Sequence, residues 1–168
     1  SGINGIQKVN SNELDTLAYT AAERFYSKRE LGKAEIKFRE YLENFPQGAF
    51  RLNGHYYLGL IQYNNNNYDA ALKNLKAVTE YPDNRFNEEA LVLVGEIHYN
   101  KKEYANSIAA FKEVLAITLQ DERRVAAHMN IMRAARHIGD HDETISNANR
   151  LIGNSGVEPE WEREAMFS

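Results

Sequence analysis

The sequence predicts an all-α fold, a solenoid of antiparallel helix pairs with about four repeats and the start of a fifth. Three observations carry this. Related segments recur every 36 or 37 residues. Within each half-repeat, apolar residues recur at three- and four-residue steps, the period of a helix and not of a strand. Turn-forming residues fall at recurring places between the halves and between the repeats.

The register is set by four rows of positions. Small residues Ala22, Gly59 and Gly95 stand in the first helix (helix A) of successive repeats. Nine residues later come Leu31, Tyr68 and Tyr104, which open the second helix (helix B). Ala34, Ala71 and Ser107 follow, then Phe38, Leu75 and Phe111. A small residue where two helices cross lets the backbones approach, and a large side chain from the partner fills the space. Gly59 would cost about 1 kcal/mol against Ala in a helix interior. The recurrence of glycine at Gly95 therefore points to close packing that outweighs that cost.

Taken in order, residues 1–12 read as an irregular N-terminal segment, with Ser1-Gly2 as a cloning remnant. Repeat one spans 13–46 and ends at Pro46. Repeat two spans 49–82 and ends at Pro82, 36 residues on. Proline lacks the N–H that would continue a helix. The run Asn64-Asn65-Asn66-Asn67 separates the halves of repeat two, because Asn tolerates left-handed backbone angles. Repeat three spans 86–118. Glu88 and Glu89 open its first helix, where negative charge suits the helix dipole. Asp121 is the expected N-cap of the next helix. Repeat four, 121–152, is degenerate: Met132 stands at the small position, His141 opens helix B, and Thr144 and Ala148 follow. Gly139 marks its inner turn. Residues 153–168 read as the start of a further repeat helix, so the chain is expected to be a piece of a longer repeat protein.

Composition narrows the function. The chain has 168 residues, 43% of them apolar, enough for a packed core. The net charge is −4 with both signs interspersed, so no basic stripe points to nucleic acid. No apolar run approaches the roughly 18 residues of a transmembrane span. With no cysteine, disulfides, thiolate–zinc sites and thiol nucleophiles are excluded together. His137 and His141 have the four-residue spacing of paired metal ligands, but Gly139 lies between them, so a polar turn is the reading. His55 and His98 fall among packing or groove-lining positions. No Gly-x-Ser-x-Gly string, phosphate-cradling loop or His-Glu-x-x-His string occurs. No enzyme activity, metal or cofactor is expected.

Gly59, Tyr68, Ala71 and Pro82, with their counterparts at 36–37 residues, resemble tetratricopeptide repeats. The segment 41–75 is similar in wording to bacterial cell-envelope proteins of this family, of the outer-membrane assembly lipoprotein and Tol-Pal-associated periplasmic types. The resemblance implies right-handed superhelical stacking, with the A-helices lining a concave face that binds a peptide or partner protein. It also implies which positions would face that partner, counted from the small residue. Three before it stand Tyr19, Tyr56, Val92 and Met129. One after it stand Glu23, Leu60, Glu96 and Arg133. Four after it stand Tyr26, Tyr63, Tyr99 and Arg136, and five after it Ser27, Asn64, Asn100 and His137. Tyr26, Tyr63 and Tyr99 form an aromatic column, and tyrosine suits a binding surface because it offers apolar area and a hydroxyl at low entropic cost. The same column could instead pack between neighbouring A-helices, which is the somewhat favoured reading. The first two columns of repeats one to three lack the basic residues with which some members grip acidic C-terminal tails.

The expected function is a protein-interaction scaffold in bacterial cell-envelope assembly, periplasmic or outer-membrane associated. Two alternatives stand. One is an architectural spacer or self-assembly segment that associates through its uncapped C-terminal repeat. The other is a regulatory module of a cytoplasmic multidomain protein.

Overall fold

In the computed structural model, residues 10–153 are described. Among them are eight α-helices and no strand: α1 (Ser11–Ser27), α2 (Leu31–Asn44), α3 (Arg51–Asn64), α4 (Tyr68–Thr79), α5 (Asn87–Asn100), α6 (Tyr104–Ile117), α7 (Asp121–His137) and α8 (His141–Ile152). Odd-numbered helices are the A-helices and even-numbered ones the B-helices. The chain forms two compact units that divide between Ala77 and Val78, inside α4.

One turn recurs four times. Arg29, Asn66, Lys102 and Gly139 all have φ between 60° and 70°, and they are spaced at the repeat period. In each, the next residue's N–H reaches back five positions: Glu30 to the Phe25 carbonyl, Asn67 to Gln62, Glu103 to His98 and Asp140 to Ala135, at 2.8–2.9 Å. The left-handed residue itself donates three positions back, to Tyr26, Tyr63, Tyr99 and Arg136. This is a Schellman closure, which satisfies carbonyls that the helix end would otherwise leave unpaired. Asn66 and Gly139 are residues that favour the left-handed region. Arg29 and Lys102 are not, and nothing in their side chains announces the turn.

In the first unit, Tyr19, Ala22, Ala34, Phe38, Tyr41, Leu58 and Ile61 make one buried cluster. Ala22 and Phe38 are both fully buried in it. A Cβ added at Gly59 would stand 2.8 Å from Leu75 Cγ, so the glycine is what lets α3 and α4 approach. The link between α2 and α3 is tied down by a buried carboxylate. Asp15 accepts the Tyr41 hydroxyl at 2.5 Å through Oδ1 and the Ala49 N–H at 2.7 Å through Oδ2. Tyr41 Oη in turn accepts the Phe50 N–H at 3.0 Å. Burial, with Asp15 beside it, holds the Tyr41 hydroxyl well above the ordinary tyrosine range.

In the second unit, Phe111 fills the space left by Gly95, whose added Cβ would meet the Phe111 ring at 2.7 Å. Ser107 Oγ donates to the Gly95 carbonyl at 2.8 Å across the same crossing. Arg123 of α7 pairs with Glu88 at 3.3 Å and Glu89 at 2.5 Å, so the two acids that open α5 also bind the following A-helix. Repeat four reverses the size pattern. Met132 is fully buried at the small position, and the B-helix residue that meets it is Ala148 rather than a large side chain; both belong to a cluster with Met129 and Leu151. Large and small have changed places, so the degenerate repeat packs on the same plan.

A second polar pair recurs across the helix crossings. His55 Nδ1 meets Asn74 Oδ1 at 2.9 Å, and His128 Nδ1 meets Asn147 Oδ1 at 2.8 Å, each between an A-helix and its own B-helix. His98 is buried, with Nδ1 3.4 Å from Glu103.

Two local expectations need correcting. The N-cap of α7 is Gln120, and Asp121 is already in the first turn, where it pairs with Arg124 at 2.6 Å. Ser11 and Asn12, assigned to an irregular segment, belong to α1, whose cap is Asn10. The further helix expected after Gly153 lies outside the described residues.

Candidate functional site

Two clefts open on A-helix faces, one in each unit. The first, of about 610 Å³, is lined by Glu23, Tyr26, Ser27 and Tyr57 with Arg29 of the turn and Leu31 at the start of α2. Tyr26 is half-buried. Its ring lies 4.8 Å from that of Tyr57 and packs edge-on to Phe38 at 6.4 Å. Tyr57 is in turn stacked on Phe38 at 5.7 Å. Burial, with Tyr57 nearby, raises the pKa of the Tyr26 hydroxyl. The column residue Tyr26 therefore both braces the next A-helix and presents an edge to the cleft.

The second cleft, of about 460 Å³, is lined by Tyr99, Arg133, Arg136 and His137. Its two ring-bearing residues, Tyr99 and His137, both pack against Tyr104. The His137 ring lies flat on Tyr104, with centroids 4.4 Å apart and planes within 1°. His137 Nε2 shares a hydrogen bond with the Tyr99 hydroxyl at 3.1 Å, and Tyr99 packs edge-on to Tyr104 at 5.4 Å. Arg136 and His137 occupy the last turn of α7, where positive charge also complements the helix dipole.

The remaining positions divide by burial. Glu23, Asn64 and Asn100 are exposed, while Tyr56, Leu60, Tyr63, Glu96 and Arg133 are half-buried. Tyr56 packs edge-on to Tyr57 at 5.4 Å, and Tyr63 lies 6.2 Å from Tyr68. Val92 is half-buried against the core. Tyr19 and Met129 are corrections: they are 5% and 1% exposed and belong to the core. Tyr19 stacks on Phe50 at 4.4 Å and accepts a 3.3 Å hydrogen bond from Asn53, so its ring is enclosed by the chain that enters α3. Met129 sits under α8 with Ala148 and Leu151.

Sequence reasoning missed Tyr57 and Tyr104 as site residues. In the sequence, Tyr104 reads only as the opening of helix B. Its place nine residues after Gly95, shared with Tyr68, was the available signal, because that position lies beside the end of its own A-helix. Among the described residues, no three His, Asp or Glu side chains converge to hold a metal. No described helix is long and apolar enough to cross a membrane.

Helix pairs of this period, closed by the same turn and packed small against large, make a tetratricopeptide-like helical-repeat fold. A tetratricopeptide-repeat family model matches residues 56–122. Among solved structures, MamA of AMB-1 is 20% identical with a TM-score of 0.70, covering 89% of this chain and 78% of that one. A Podosopora anserina protein of kinesin-light-chain type, with nearly identical TPR-like repeats, is 12% identical with a TM-score of 0.63, covering 99% and 84%. A second structure of that type is 13% identical with a TM-score of 0.62, covering 98% and 81%. At these identities the likeness shows the fold. Among curated proteins none matches.

Proposed function

We propose that this protein is an interaction scaffold that binds a peptide or partner protein on its A-helix faces, and that it serves bacterial cell-envelope assembly in the periplasm or at the outer membrane. The observation that carries the binding half is that Tyr26 and Tyr99, one per unit, are each fixed by neighbouring rings while lining an open cleft. Pre-ordered aromatic side chains give up little entropy on binding, which is what a recognition surface needs. The envelope half rests on the wording of residues 41–75.

The test is the triple substitution of Tyr26, Tyr63 and Tyr99 by Ala in the immobilised protein. Capture of periplasmic proteins should fall while far-ultraviolet circular dichroism stays helical. Unchanged capture together with lost helicity would mean that the tyrosines are only core. Fractionation of cells carrying the full-length gene product tests the location.

A second reading, self-assembly or a spacer role, is favoured by α8. Ile145 and Ile152 are 53% and 48% exposed and lie seven residues apart on one helix face. Light scattering that shows a dimer dispersed by Ile145→Lys would favour it.

A further inference from the structure

The basic cleft of the second unit offers donors that the packing of the repeat does not use. Arg39, Arg123 and Arg124 are each held by a carboxylate of this chain. Arg136 is exposed and has no such partner among the described residues. His137 is fixed in plane by Tyr104 and in position by Tyr99. That pair must leave one donor unspent. If the Tyr99 O–H donates to Nε2, the imidazole proton sits on Nδ1 and is available. If Nε2–H donates to the Tyr99 oxygen, the phenolic O–H is available instead. Either way an uncharged donor stands near a guanidinium in a cleft lined also by Arg133. The chain as a whole carries −4, so this cleft is a local reversal of sign.

Resting on the interaction-scaffold reading, we propose that this cleft recognises an acidic side chain, Asp or Glu, within an internal peptide segment of the partner. Arg136 would contribute the ion pair, and the Tyr99–His137 pair the second hydrogen bond to the carboxylate. Tyr104 is a positioning residue that holds the imidazole plane. The volume, about 460 Å³, suits one or two side chains with a length of backbone rather than a folded surface. The acidic character of the rest of the chain would disfavour wrong placements of the same segment. A cleft that reads a side chain has no need of a free C-terminus.

The experiment is fluorescence anisotropy of the whole chain with two dye-labelled, C-terminally amidated peptides. One carries two adjacent glutamates flanked by leucine and serine, and the other has glutamine in their place. The glutamate peptide should bind about tenfold more tightly, the worth of one charge-assisted hydrogen-bonded pair. Arg136→Glu should abolish that preference, and Lys73→Glu, the same charge change in the other unit, should leave it intact. A version with a free C-terminus should bind no better than the amidated one. The proposal is overturned by equal affinity for the two peptides, by no binding of either, or by equal effects of the two charge reversals. If both peptides bind equally and lose affinity on Tyr26→Ala, the scaffold reading survives and this inference alone fails.

Discussion

Replacing Gly95 by Met and Phe111 by Ala would rebuild in repeat three the packing that repeat four uses. The two single substitutions have separate costs. An ideal Cβ at residue 95 stands 2.7, 2.8 and 3.0 Å from three carbons of the Phe111 ring, and that ring is 1% exposed, so it has no room to retreat. Overpacking a full core normally costs about 1–3 kcal/mol, and a thioether aimed at a fixed ring belongs at the upper end. Phe111→Ala removes a buried ring and leaves a cavity beside Gly95, at about 3–5 kcal/mol. Were the effects independent, the double variant would lose roughly 6 kcal/mol or more. Met in place of the missing ring should instead fill part of the cavity, as Met132 does beside Ala148. The double variant should therefore be at least about 2 kcal/mol more stable than the sum, a coupling of the size expected for residues in contact. Urea unfolding of the four proteins, followed by far-ultraviolet circular dichroism, measures the cycle. Additive losses would refute the size-exchange account of repeat four.

Asp15→Ala should destabilise the first unit by about 2–3 kcal/mol, because the Tyr41 hydroxyl and the Ala49 N–H lose a shared charged acceptor; denaturant melts measure it, and a loss below about 0.5 kcal/mol would show that water replaces the carboxylate. Tyr19 and Tyr41 hydroxyls are raised above the ordinary value, chiefly by burial, so the unfolded chain ionises first as pH rises. Their contribution should be whole below about pH 10 and lost above it. Absorbance at 295 nm should then show late-titrating tyrosines that ionise together with loss of helicity, and a single early titration of all of them would contradict their burial. Lys102→Gly relieves a left-handed lysine at φ 62° and should raise stability by up to about 1 kcal/mol, whereas Gly139→Ala at φ 70° should lower it by a similar amount. Thermal melts compare the two.

The rows of small and large residues were legible because each is a local requirement repeated along the chain. Ala22, Gly59 and Gly95 face crossings, and Phe38, Leu75 and Phe111 fill them. Met132 looked like a break in that pattern because its compensation, Ala148, is sixteen residues away in another helix. A pair of volumes is conserved there, and a position-by-position reading weighs each volume alone. The turns show the same limit. Asn66 and Gly139 advertise a left-handed backbone, while Arg29 and Lys102 adopt it because the two helices on either side dictate the closure.

The candidate site was less legible than the fold. Tyr19 and Tyr26 lie on one helix, seven residues apart and so on nearly the same face. Sequence pattern treats them alike. The structure separates them, because Phe50 and the chain entering α3 cover Tyr19, while the ring beside Tyr26 is that of Tyr57, which leaves the cleft open. By itself the sequence determined the helical period, the repeat register and the crossing residues, since those follow from what neighbours along one helix impose on each other. Only the tertiary structure decided which aromatics are sealed, which line clefts, and that Arg136 and a Tyr99-bound His137 line one cleft, with Tyr104 stacked on the imidazole. Those outcomes depend on which separate element covers a given face, and that is a property of packing between helices rather than of any one of them.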